Sequence, residues 1–456
     1  MSGEAAAASR SEPSAHPIRL DFVRLARLAG PVVISRLGIM TMGLTDTIVT
    51  GRYSAEQLSF LALGWAATSG VLGSAIGLLS GVQVMASRAV GAGAPQLAGA
   101  ALRRGLVYSL WVGIGAAVVL GVGGPWLLTL LGLKGDLAAG AAGPLVILAV
   151  SMPSFTISLA TSSWLEGLGR MTPPMLLMWI ANVLNLGVDL VLVPGRLGFP
   201  AMGADGAAAA TFTARTFLAL ATCGYILRMR DARALGVFDK PVRSRAVEIE
   251  QRRVGYGSAA SNFFEMSAFS AMNVIAGWIG PLSVAAWAVT LNVVSLVFMV
   301  PLGLSTATAV LVGQAYGAND ARGLRRAAGV GFAVTAAFAL VIALCVWPSA
   351  GLIAPLYTSD TAVVALAAGA LALSCLFYLP DALQVVVAQS LRARGDVLVP
   401  TLTHLTSYVA IMLPLAYAFA IPMHRGLTGI VIAVIVASYI SAGLLLGRFW
   451  LLARRD

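Results

Sequence analysis

Apolar runs of about twenty residues recur from one end of the chain to the other, separated by short polar stretches. In a helix, at ~1.5 Å per residue, such a run crosses the ~30 Å core of a bilayer. The pattern predicts an all-α integral membrane protein of about twelve spans, at 28–50, 58–86, 105–132, 138–163, 172–194, 206–227, 255–280, 283–312, 328–356, 362–390, 399–421 and 427–451. A small, polar tail (1–18) precedes them and is expected to be disordered. It has no apolar stretch behind a charged start, so no cleaved signal peptide is expected. The longest later polar stretch, 231–252, separates two expected six-helix lobes, 19–230 and 253–456.

The halves repeat. Arg88-Ala89-Val90-Gly91-Ala92-Gly93 closes the second span, and Gln314-Ala315-Tyr316-Gly317-Ala318-Asn319 closes the eighth, an offset of 314 − 88 = 226. Leu165, Gly169 and Pro174 stand the same distance before Leu391, Gly395 and Pro400. Six spans per half is an even number, so both halves enter the membrane in the same sense. They form a parallel repeat about an axis along the membrane normal, an architecture of transporters with a cavity between the repeats.

Composition strengthens the membrane reading. The 456 residues are 59% hydrophobic and 11% charged, against roughly 25% charged in soluble domains. The net charge of +11 could suggest nucleic acid, but the charges lie at the ends of the apolar runs. Of the 30 Lys and Arg, Arg36 and Arg215 fall within spans and Arg52, Lys134, Arg196 and Arg425 fall on one side. All the others, Arg88 and Arg392 among them, share the side of the termini and the linker. The positive-inside rule makes that side cytoplasmic; the protein is expected in a bacterial inner membrane, as a monomer. Cys223, Cys345 and Cys375 sit in apolar runs without CxxC spacing, as core residues. No P-loop, GxSxG or HExxH pattern supports ATP hydrolysis or a membrane hydrolase. Among His16, His404 and His424 no pair has metal-ligand spacing, and His404 reads as a helix contact.

Of the 19 acidic residues, four fall well within the predicted spans: Asp46, Asp189, Glu265 and Asp381. An ionisable group at membrane depth costs at least ~2.5 kcal/mol, which makes each a functional candidate; the alternative is a carboxyl that only bridges helices. Asn182, Asn185 and Asp189 follow i, i+3, i+7 spacing and share a helix face. Two carboxylates, an amide oxygen and a hydroxyl would suit Na⁺. Two close carboxylates could equally share a proton, since like charges oppose joint ionisation. In the second half, Asn262, Glu265, Phe269 and Met272 share a face, where charge, rings and sulfur suit an organic cation. Asp381 follows Pro380, which removes a backbone donor and frees the Leu376 carbonyl, and Gln384 lies one turn on. Arg36 and Arg215 either pair with a buried carboxylate or snorkel to an interface.

These residues resemble the multidrug and toxic compound extrusion (MATE) family over nearly the whole chain. Gly43-Leu44-Thr45-Asp46-Thr47 is similar to its first-span aspartate motif, and Phe263-Phe264-Glu265 to its seventh-span glutamate motif. Leu291-Asn292-Val293-Val294-Ser295-Leu296-Val297-Phe298-Met299-Val300-Pro301 resembles its eighth span. Asp381-Ala382-Leu383-Gln384-Val385, with Gln389-Ser390-Leu391-Arg392 and Gly395-Asp396, resembles its tenth span and loop. The second half looks most like the NorM-type bacterial branch. The resemblance implies antiport of organic cations against Na⁺ or H⁺ by alternating access, with no further cofactor, no enzymatic step and a role in antibiotic resistance. It implies that Asn185, Asp189 and Thr211 bind the coupling cation with Asp46, and that Glu265 and Asp381 form a second-lobe cation site. Asn262, Phe263, Phe264, Phe269, Trp287 and Gln384 are the positions expected to meet the exported compound. Trp287-Ala288 stands where that branch usually has His-Gln, which bears on the polar contacts of the eighth span and so on substrate range.

Three rivals make different demands. A lipid-linked precursor flippase of the same superfamily needs a basic cavity for anionic headgroups. A membrane enzyme needs a nucleophile or a His/Asp pair at the surface. A channel has no use for a half-repeat with different acidic sites in each half.

Overall fold

A computed structural model of the chain describes residues 17–130, 136–240 and 244–455. Most of the N-terminal tail and Lys134 lie outside the described residues. The first lobe contains α1 (Pro17–Tyr53), α2 (Ala55–Gly91), α3 (Gln96–Leu130), α4 (Asp136–Val150), α5 (Met152–Gly167), α6 (Thr172–Leu192) and α7 (Ala204–Arg228). The second contains α8 (Arg245–Ile279), α9 (Pro281–Gly317), α10 (Ala321–Ile353), α11 (Thr361–Ala393), α12 (Leu398–His404), α13 (Leu413–Ala420) and α14 (Gly426–Ala453). A π-helical stretch, Leu405–Met412, joins α12 to α13 into one rod.

Among the described residues, ten helices are long and apolar enough to cross a membrane, or eleven when the bent pair Leu137–Val150 and Met152–Gly167 counts as one. That pair is the expected fourth span, broken by 42°. The break has a local cause: Pro153 in the first turn of α5 has no N–H to continue the ladder from α4. The remaining rod is α8, repeat-mate of α1, which lies along α2. Ser258, Ser261, Asn262 and Glu265 lower its hydropathy, so length and apolarity alone pass it over.

Large apolar side chains point outward: Trp111, Val122, Leu220 and Leu344 are 69%, 77%, 70% and 74% exposed. Lipid tails are the solvent that suits such a surface. The helix interfaces are built from small residues, which let backbones approach in the absence of a strong hydrophobic drive. The helix ends at the turns are capped: Asp320 accepts from the Gly323 N–H (2.8 Å) at the start of α10, and Asp360 from the Ala362 N–H (2.9 Å) at the start of α11. Each such cap is worth ~1 kcal/mol.

The lobes meet through α2 against α8 and α9, and α1 against α9. Their contacts carry the repeat. A Cβ on Gly77 would fall 2.3 Å from Ala259, and one on Gly303 would fall 2.4 Å from Val33; each residue of the second pair stands 226 from one of the first. Gly91 abuts Gln314 and Gly317 abuts Arg88 in the same reciprocal way. Gly313 abuts the Ser87 hydroxyl (2.2 Å to an added Cβ), its own repeat-mate, so the pseudo-twofold axis passes here. Hydrogen bonds between the lobes run from Asn262 Nδ2 to the Gly73 carbonyl (3.2 Å) at mid-depth to Arg88 at the end that carries the linker. Arg88 of α2 donates to the Ala393 carbonyl (2.8 Å) and the Arg392 carbonyl (3.2 Å), pairs with Glu250 (2.5 Å) and covers the Tyr316 ring. All its partners belong to the second lobe, so the lobes are bolted together at the linker end.

Candidate functional site

The first-lobe cluster forms where α1, α6 and α7 meet. On α6, Val183, Leu186 and Leu190 are exposed, while Asn182, Asn185 and Asp189 are buried on the opposite face. On α1, Leu44 and Ile48 point out and Asp46 points in, fully buried. Asn185 Nδ2 donates to Asp46 Oδ1 (3.0 Å), and the Thr211 hydroxyl of α7 donates to Asp46 Oδ2 (2.6 Å). The Asp189 carboxylate interacts with that of Asp46. The expected residues Asp46, Asn185, Asp189 and Thr211 are therefore brought together.

The cluster's polarity is one-sided. Both Asp189 oxygens, Asn185 Oδ1 and Asn182 Oδ1 are buried with no donor facing them. The Asn185 amide is oriented by its bond to Asp46, and that of Asn182 by its bond to the Met178 carbonyl (2.9 Å). Four acceptors without donors in a desolvated site cost free energy until something positive meets them. Arg215, one turn past Thr211, is 7% exposed and acts electrostatically on Asp46. Its guanidinium donates to Ser151 Oγ (2.7 Å) and is flanked by the rings of Phe155 (4.9 Å) and Trp65 (5.5 Å).

The second-lobe cluster lies between α8, α11 and the π-helical stretch. Gln384 Nε2 donates to Asp381 Oδ1 (2.8 Å) and also contacts the Tyr408 hydroxyl. Tyr408 interacts in turn with Glu265, so Glu265 and Asp381 belong to one network. A cavity of about 10 Å³ adjoins Asp381 between α9, α10 and α11, room for about one water. Phe269 packs on Tyr408 (6.2 Å between centroids), and Phe263 on Phe264 (6.3 Å). Asn262 is used at the lobe seam, and Trp287 is buried in the second-lobe core with no partner for its indole N–H. His404 is buried, stacks on Tyr408 (5.6 Å) and has no hydrogen bond at either nitrogen.

Four contributors escaped the sequence reading. Arg392, counted there with the linker-end charges, is 2% exposed. Its side chain turns back into the lobe, donates to Ser261 Oγ (2.7 Å) and acts on Glu265. Tyr408 was one tyrosine in an apolar run, and a π-helical stretch, common at functional sites, brings it inward. Ser261 carried no signal beyond standing one turn before Glu265. Glu166 lies three residues past the expected fourth span, yet it is buried and pairs with Arg36 (3.7 Å), which settles Arg36 as a paired cation. The signal available was the repeat, since Glu166 and Arg392 stand 226 apart and both turn inward near their helix ends. Among the described residues, no group of three or more His, Cys, Asp or Glu could hold a metal ion.

Comparison with known proteins agrees with this architecture. The MatE family model matches residues 31–191 and 258–418, two stretches whose starts are 258 − 31 = 227 apart, within one residue of the repeat. The chain is 54% identical over 440 residues to a probable multidrug resistance protein NorM of Caulobacter vibrioides, covering 96% of this chain and 93% of that protein. It is 31% identical over 406 residues to the multidrug resistance protein PmpM of Pseudomonas aeruginosa, covering 89% and 85%. An outward-facing structure of a multidrug resistance MATE family transporter of the MOP superfamily superposes with a TM-score of 0.87 at 22% identity, covering 96% and 97%.

Proposed function

This chain belongs to the MATE family, in its NorM-type branch, and from that premise we propose that it exports organic, mostly cationic and amphipathic compounds in antiport with Na⁺ or H⁺ by alternating access. It is a transporter and not an enzyme. The observation that carries the coupling is the first-lobe cluster: four buried oxygens without donors beside an aspartate already held by Asn185 and Thr211. A monovalent cation held by the Asp46, Asp189 and Asn185 oxygens, or a proton shared between Asp46 and Asp189, would supply the positive charge that this cluster lacks. The second lobe offers Glu265 and Asp381 with the ring of Phe269 packed on Tyr408 beside them, a surface suited to a hydrophobic cation.

Exchange follows from linkage. A coupling cation and a drug that bind the same carboxylates, or opposite conformations, weaken each other by the same factor. The inward cation gradient then drives the compound out. The linker end, closed in this conformation by Arg88, is the cytoplasmic end in this reading, as its excess of arginine supports. A cysteine placed at 240 should resist a membrane-impermeant periplasmic reagent, and one at 425 should react; the reverse pattern inverts the topology. Everted vesicles test the function itself. Drug uptake should follow an imposed Na⁺ or pH gradient, and uptake that ignores both gradients rejects antiport.

A further inference from the structure

We propose that Arg215 sets the number of cations the first-lobe site accepts: its guanidinium is a tethered cation that answers one of the two carboxylates, leaving room for one monovalent cation and not two. This rests on the reading that the first-lobe cluster binds the coupling cation.

Position comes first. Arg215 and Thr211 are four apart on α7, hence on one face, and Thr211 holds Asp46 at 2.6 Å. The guanidinium is clamped by neutral partners only, the Ser151 hydroxyl and the faces of Phe155 and Trp65. Its charge is therefore not spent on a local ion pair and acts on Asp46. The other buried charges of the lobe drop out of the count. Glu166 and Arg36 answer each other, Asp21 pairs with Arg326 and Arg88 with Glu250, and Asp205 sits in the first turn of α7, where the helix dipole favours an anion. Two carboxylates and one guanidinium remain, one negative charge in excess. An uncompensated charge at membrane depth is costly in either direction, so one positive charge completes the site and a second would overfill it.

The second lobe reached the same inventory independently. There Glu265 and Asp381 share one network and Arg392, itself held by a neutral hydroxyl, Ser261, acts on Glu265. The positions are not repeat-mates: Arg215 corresponds to Ser441, and Arg392 to Glu166. A shared inventory at unrelated positions is not a relic of the repeat, and it points to a charge requirement common to both sites.

The test counts cations bound by purified protein in nanodiscs, by calorimetric titration with Na⁺ and, separately, with acid. Glu265→Gln/Asp381→Asn silences the second lobe in every sample. In that background the expected count is one. Arg215→Lys should keep one, and Arg215→Gln should raise it to two. Asp189→Asn should reduce it to none, and Asp189→Asn/Arg215→Gln should restore one; this double variant keeps the charge balance, so it remains informative should Arg215→Gln alone fail to fold. A count of one at parent affinity in Arg215→Gln, or none in the double variant, overturns the proposal. A cation still bound after Asp46→Asn in the same background instead rejects the first-lobe site itself.

Discussion

The two lobes hold their carboxylates in different company. In the first, Asp46 is gripped by two neutral donors, while Asp189 and two asparagine carbonyl oxygens face no donor. In the second, donors crowd the acids: Gln384 on Asp381, Tyr408 between Gln384 and Glu265, and Arg392 beside Glu265. Its buried unpartnered atoms are mixed, with Gln384 Oε1 an acceptor and Arg392 Nε a donor. A site rich in unanswered acceptors is poised for a small cation. A site whose acids already have partners, lined by rings, favours a larger ligand that brings its own apolar surface. The proposed specialisation of the lobes thus involves the neighbours as well as the acids, whose positions are not repeat-mates: 226 away from Asp46, Asp189, Glu265 and Asp381 stand Met272, Leu415, Ile39 and Phe155.

The comparison breaks most decisively at the acids. Asp46→Asn should abolish coupled efflux under both Na⁺ and pH gradients, since it removes the carboxylate that Asn185, Thr211 and Arg215 all address. Transport at the parent rate would assign coupling to the second lobe alone. Glu265→Gln and Asp381→Asn should each abolish coupled efflux with expression and thermal stability preserved. Full drug resistance in cells carrying either variant would remove that pair from the mechanism.

Smaller changes sharpen the difference. Asn185→Ala and Thr211→Val each delete a bond to a carboxylate, worth ~1.5–3 kcal/mol. Na⁺-driven efflux should fall by roughly tenfold or more, while proton-driven efflux, which needs only the carboxylates, should stay near parent. Equal losses under both gradients would mean that the neutral oxygens only position Asp46. The mildest effect is expected from Tyr408→Phe, which leaves ring packing intact and removes one neutral hydroxyl, worth ~1 kcal/mol. A severalfold rise in the drug concentration giving half-maximal transport, with cation dependence unchanged, would place Tyr408 on the drug side. A change in cation dependence alone would contradict the specialisation.

Much of this was legible in the sequence because membrane depth makes charge conspicuous. Asp46, Asp189, Glu265 and Asp381 stand out against apolar runs, and helical periodicity placed Asn185 on the face of Asp189. What stayed hidden depends on reach and on backbone irregularity. Arg392 begins among the linker-end arginines, and its long side chain carries the charge into the lobe, a direction that hydropathy does not record. Tyr408 is brought to Gln384 by eight residues of π-helix, for which an apolar run gives no warning. The bend at Ser151 was within reach, since Pro153 marks it, but a window averaged over twenty residues smooths it away. Conversely, α8 was expected as a span from its apolar run at 255–280, yet it is not among the helices long and apolar enough to cross a membrane.

The contact between Ser87 and Gly313 has a meaning for ancestry. On a true twofold axis every residue meets its own copy, so a homodimer of a single half would set serine against serine there, or glycine against glycine. Two hydroxymethyl groups could not share the space that one fills, and two hydrogens would leave it empty. Only after duplication gave the two copies separate sequences could the two sides of the axis differ. The same holds at the next residue, where arginine at 88 faces the second lobe and its counterpart at 314 is glutamine. A symmetric ancestor would have carried the same residue at both of these places; the present chain needs only one bolt. Duplication thus let each lobe diverge independently of the other.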